Sequence, residues 1–119
     1  MRKDVEIGGK TVTLEANAAT PYRYRMIFHK DLLTLLSTAR ADDATTIDIM
    51  AELAFVMAKQ AEKADMSKLT EGMFLEWLEG FEPEAFISEE VVVQVLNVYN
   101  KNAVATSTAK KKAKKSPAN

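Results

Sequence analysis

Hydrophobic and polar positions alternate near the N-terminus of the chain. Val5 and Ile7 alternate with Asp4 and Glu6, and Val12 and Leu14 alternate with Thr11, Thr13 and Glu15. Gly8-Gly9-Lys10 between the two runs is a turn signal, because glycine reaches positive φ without a Cβ clash. The pattern predicts a β-hairpin over about residues 4–16. A lone two-stranded hairpin is marginal in water. It must therefore pack on helices, pair with another hairpin, or be partly mobile.

The period then becomes helical. Thr20-Pro21 reads as a helix start, with Thr20 able to cap and proline losing no needed donor at the first position. Met26, Ile27, Phe28, Leu32, Leu33, Leu35 and Leu36 give a broad apolar stripe that ends near Arg40, and Ala41-Asp42-Asp43 breaks it. A second helix is expected from about Thr46 to Ala64. Ile49, Met50, Leu53, Phe55, Val56 and Met57 cover much of its circumference, which places it at the centre of the core. Lys59, Glu62 and Lys63 mark its solvent-facing end. A short helix follows from Thr70 to Gly80, with Phe74, Leu75, Trp77, Leu78 and Phe81 at helical spacing and Gly80 as its C-terminal cap. Pro83 restarts the chain. Ser88-Glu89-Glu90 opens a last helix with a hydroxyl cap and two acids near the positive end of the dipole. Val91, Val92, Val95, Leu96, Val98 and Tyr99 form its buried stripe.

The expected fold class is therefore mainly α, an α+β arrangement with an N-terminal hairpin and about four helices around one core. A single domain is expected over residues 1–102. Residues 103–119 are small, polar or lysine and carry no periodicity, so they read as a flexible basic tail.

Charge sharpens that division. The tail holds Lys110, Lys111, Lys112, Lys114 and Lys115 and no acid; without these five, the remaining lysines and arginines face 17 acids, a balance of −6 against −1 for the whole chain. An acidic body carries a basic tail. Cysteine is absent from the 119 residues, which excludes disulfides, thiolate metal sites and cysteine nucleophiles. No apolar signal core follows the opening Met-Arg-Lys-Asp, and no apolar stretch approaches the roughly 20 residues that span a bilayer. The default expectation is a soluble cytosolic protein.

Candidate chemistry is sparse. His29 is the single histidine. It could serve as a general base, but no pattern supplies a nucleophile or carboxylate partner, so a surface or half-buried helix histidine is the better reading. Asp42, Asp43, Asp48, Glu52, Glu76, Glu79, Glu82, Glu84, Glu89 and Glu90 would have to converge in a cleft to hold a metal or move a proton. Glu76 and Glu79 share a helix face, which reads as a solvated acidic surface. The glycines fit no phosphate-cradling loop. No catalytic, cofactor or metal residue is therefore assigned, and no enzymatic activity is expected.

The segment Phe74-Leu75-Glu76-Trp77-Leu78-Glu79-Gly80-Phe81 has the highest aromatic density in the chain. Tryptophan and phenylalanine are enriched at interface hot spots, but in a domain this small such residues are more often simply core, which is the favoured reading for Trp77 and Phe74, with Phe81 and Phe86 open to either. Phe74, Trp77, Leu78, Phe81 and Phe86 are the candidate partner-binding residues. The lysine tail could bind nucleic acid by neutralising phosphates, but it lacks interleaved aromatics or arginines. A plain solvated tail is the alternative. Unpaired hairpin edges predict at least transient self-association.

In their order, these elements resemble the tail assembly chaperones of long-tailed bacteriophages. The carrying features are the glycine-turned hairpin, a helix opening with Tyr22-Arg23-Tyr24-Arg25, the apolar helix with Ala54-Phe55-Val56-Met57-Ala58-Lys59, the F-x-x-W-L-x-x-F segment from Phe74 to Phe81, a final helix ending Val98-Tyr99-Asn100-Lys101-Asn102, and the lysine-rich end. The resemblance implies an adaptor that binds and solubilises the tape measure protein, helps recruit tail tube subunits, works in the host bacterial cytoplasm and is absent from the mature virion. It also implies a longer product made by ribosomal frameshifting near the lysine run, with this chain as the short form. The alternative is a small nucleic-acid-associated protein acting through the tail.

Overall fold

The structure, a computed structural model, describes residues 1–38 and 44–100. Arg2–Ile7 (β1) and Lys10–Glu15 (β2) pair antiparallel, with Arg2 opposite Glu15 and Ile7 opposite Lys10. Gly8 and Gly9, at φ 58° and 84°, make the two-residue turn. Two successive positive φ values match the right-handed twist of the strands. A Cβ on Gly8 would also stand 2.8 Å from the Ala85 Cβ, so the turn lies directly against the C-terminal part of the fold.

Thr20–Phe28 (α1), Leu32–Ser37 (α2) and Ala44–Ala61 (α3) follow. A 3-10 turn at Met66–Lys68 then leads into Glu71–Leu78 (α4). A last helix, α5, covers residues 89–100. The expected fold class is present: a hairpin, then helices around one core. Among the described residues the first expected helix is two, which makes five where about four are expected. His29 adopts a left-handed conformation, φ 58°, and its N–H closes α1 on the Arg25 carbonyl at 2.8 Å. Asp31 then caps α2, accepting from the Leu33 N–H at 3.1 Å and the Thr34 hydroxyl at 2.9 Å. The Thr34 hydrogen bond, ahead of the backbone bonds, holds the Asp31 carboxyl below its usual range.

The break changes which apolar residues are buried. Ile27, Phe28 and Leu32 reach the core, whereas Met26 and Leu33 stand 66% and 60% exposed. Thr20 does not cap α1. It is buried within the first turn, where its hydroxyl accepts from the Asn17 N–H and from the Gln60 amide. Gln60 also donates to the Glu15 carbonyl at 2.6 Å and accepts from Arg23 at 3.1 Å. One amide thus ties the end of β2, the start of α1 and the end of α3. Gly80 is not a left-handed cap either; Glu79 closes α4 in a right-handed conformation.

The core is organised around α3. Every residue from Ile49 to Ala58 is buried, Glu52 among them, as a helix apolar on most sides must be. The hairpin lays Val5, Ile7 and Leu14 on it. From α1 come Tyr24, Ile27 and Phe28, and from α5 come Val91, Val92, Val95 and Val98. No helix among the described residues is long and apolar enough to cross a membrane. Asp42, Asp43 and the tail from residue 103 lie outside the described residues.

Candidate partner-binding surface

Thr70 starts α4 by accepting from the Met73 N–H at 3.2 Å, and Glu71 sits in the first turn where the helix dipole favours an acid. This start sets the helix face that meets the core. Phe74 packs on Phe28 at 5.1 Å and on Phe55 at 5.5 Å between ring centroids. One turn later Trp77 meets Phe55 at 5.6 Å, Phe81 at 4.9 Å and Phe86 at 5.9 Å. Phe81 and Phe86 close the row at 5.4 Å. All of these pairs are tilted or edge-on, the arrangement the ring quadrupoles favour.

The five candidate residues are thus brought together, but at different depths. Phe86 is buried, while Phe74, Trp77, Leu78 and Phe81 are half-buried. No residue of α4 is fully buried, so the helix lies over the core rather than in it. Its outer side leaves Leu75 60% exposed, and Met73 is partly open.

Two grooves flank the row. One, of about 380 Å³, runs between Ile47 and Ala51 of α3 and the Leu78, Phe81, Pro83, Phe86 and Ile87 side, with Asp48 and Glu82 at its rim. The other, of about 520 Å³, lies between β2, the end of α3 and the Trp77–Phe81 corner. Lys10 leans into this second groove, its ammonium 5.0 Å from the Phe81 ring centroid. Phe81 therefore forms a wall of both.

Elsewhere, polar groups are committed to structure. Glu52 is buried and accepts from the Tyr24 hydroxyl at 2.5 Å and from the Lys30 ammonium at 2.9 and 3.0 Å. Burial first, then the Glu52 hydrogen bond and charge, push the Tyr24 hydroxyl well above the usual tyrosine range. This pair was invisible in the carboxylate pattern, because only the tertiary fold brings Glu52 under Tyr24. His29 is exposed at the helix break, and among the described residues its ring makes no hydrogen bond. Glu76, Glu79, Glu82, Glu84, Glu89 and Glu90 are exposed, and no group of three or more potential metal ligands forms among the described residues. The lysines from Lys110 to Lys115 lie outside the described residues.

Compared with known proteins, the chain matches no family model, no curated protein and no solved structure.

Proposed function

We propose that this chain is a tail assembly chaperone of a long-tailed bacteriophage. It binds and solubilises the tape measure protein in the host bacterial cytoplasm, without chemical turnover, and is left out of the mature virion. The observation that supports the reading is that Trp77 on α4 and Phe81 just beyond it stand half-open beside two grooves, in ring contact with half-buried Phe74 and buried Phe86. Half-buried aromatic residues beside grooves are the anchors and pockets from which protein interfaces draw most of their energy. Exposed Leu75 and Ile87 extend the apolar area on either side, suited to an apolar partner face. The tape measure protein enters as the partner only through the resemblance to the tail assembly chaperones. Recruitment of tail tube subunits belongs in this proposal to a longer frameshifted product that shares this domain.

The test is co-expression with a tape measure protein that is insoluble alone. Soluble partner, recovered in a complex and lost when Leu75 and Phe81 are changed to polar residues, is the expected result. Partner solubility that does not respond to the chaperone at any ratio refutes the proposal.

A further inference from the structure

The hydrogen-bonding phase of the hairpin sets what the groove beside β2 can take. The Met1 ammonium donates to the Ala16 carbonyl and the Ala16 N–H donates to the Met1 carbonyl, each at 2.7 Å. In an antiparallel pair, bonded and non-bonded positions alternate. With the register of β1 and β2, the pairs Lys3–Leu14, Val5–Val12 and Ile7–Lys10 are then the bonded ones. Thr11, Thr13 and Glu15 turn their N–H and C=O groups away from β1. The Glu15 carbonyl is taken by Gln60. Those of Thr11 and Thr13 have no partner among the described residues, and both residues line the groove of about 520 Å³ whose far wall is Trp77 and Phe81.

The groove also holds a cation and a carboxylate that are not paired with each other: Lys10, and Glu62, which bonds Lys59 at 3.3 Å. Arg2 is paired with Glu15 at 2.8 Å and bonded to the Ala61 carbonyl at 3.2 Å. Lys10 has no ion-pair partner among the described residues and rests against Phe81 and Gly80.

We infer that β2 accepts an extended peptide as a third strand, laid in this groove, with an apolar side chain against Trp77 and an acidic one at Lys10. Main-chain pairing with Thr11 and Thr13 supplies affinity, and the alternate side chains that face the aromatic wall supply selectivity. Gln60 stops the strand at the Glu15 end. The lysine-rich tail of the chain itself carries the wrong charge for Lys10. This inference rests on the proposed role only in taking the ligand to be a polypeptide.

The probe is a capped peptide, Thr-Leu-Thr-Asp-Thr-Ser, which run antiparallel places leucine beside Val12 and aspartate beside Lys10. Titrated at millimolar concentration into the full chain, it should shift the amide signals of Thr11 and Thr13. Three changes should each weaken it: N-methylation of its backbone donors and Thr13→Pro by about tenfold each, for the strand hydrogen bonds lost, and lysine in place of its aspartate by several-fold. Proline is tolerated at position 13 because that N–H plays no part in the pairing with β1. Should Thr13→Pro fail to fold, the N-methylated peptide makes the same test on the unaltered protein. Absent binding, equal affinity of the N-methylated or lysine peptide, or a concentration-dependent dimer that occupies the edge with a second copy would each overturn the inference. Solubilisation of the tape measure protein without peptide binding removes this inference alone. Peptide binding without solubilisation removes the chaperone proposal alone.

Discussion

Trp77→Ala separates what α4 contributes to the fold from what it offers to a partner. Fully burying a tryptophan or phenylalanine makes its truncation to alanine cost about 3–5 kcal/mol. Trp77 is only half-buried, and its contacts are ring edges of Phe55, Phe81 and Phe86. About half the burial term remains, to which the lost ring pairs add, giving roughly 2–3 kcal/mol. Phe55, fully buried on α3, is the reference, and Phe55→Ala should cost about 3–5 kcal/mol. Against a typical stability of about 5–15 kcal/mol, the tryptophan variant stays folded. Urea denaturation followed by far-ultraviolet circular dichroism measures both, since Trp77 is the sole tryptophan and cannot report on its own loss. The folded Trp77→Ala protein should then bind the tape measure protein weakly. A cost equal to that of Phe55→Ala, with binding intact, would make the ring ordinary core and refute the assignment of this surface.

Two further outcomes follow from geometry away from the row. Tyr24 and Tyr99 have hydroxyls raised above the ordinary value of 10.0, chiefly by burial. Below that value both states are neutral; above it the unfolded chain ionises first, so stability should fall as pH rises, by up to about 1.4 kcal/mol per pH unit for the fully buried Tyr24 and by less for the partly exposed Tyr99. Denaturation midpoints across the alkaline range should fall less steeply in Tyr24→Phe, and an unchanged slope would contradict the burial of that hydroxyl. Gly9→Ala should cost about 1 kcal/mol for its positive φ alone. Gly8→Ala should cost more, because its Cβ would also meet Ala85. Adding Ala85→Gly should recover the difference, and a double variant no more stable than Gly8→Ala would show that the contact is not felt.

Much of the architecture is legible as periodicity. Alternation marks the hairpin, and α3, α4 and α5 follow from apolar stripes whose faces are wide enough to be unambiguous. The division of the first helix in two is not legible in that pattern, because Met26, Leu33 and their neighbours keep helical spacing across the left-handed break at His29. Periodicity counts apolar residues and cannot register one left-handed residue. The local signal was Asp31 followed by Thr34, a cap in mid-stripe. The aromatic members of the candidate surface stand together in sequence and were readable. The grooves beside them were not, since each is walled by elements far apart along the chain, as where Lys10 of β2 lies over Phe81.

The placement of α3 has a consequence for the order of assembly. The hairpin leaves the ribosome before α3, and the helix it lies on is complete only at Ala61, whose carbonyl takes the Arg2 guanidinium across 59 positions. Until then Val5, Ile7 and Leu14 have nothing to cover them, and two strands alone are marginal in water. Closing so long a loop carries an entropic cost that grows only slowly with length, but it must be met before any of the docking contacts repay it. Charged side chains on an edge strand are one device that blunts pairing between copies, and β1 carries Arg2, Lys3, Asp4 and Glu6. The sequence of the hairpin thus serves two situations: a brief solvated one, and the lasting one on α3.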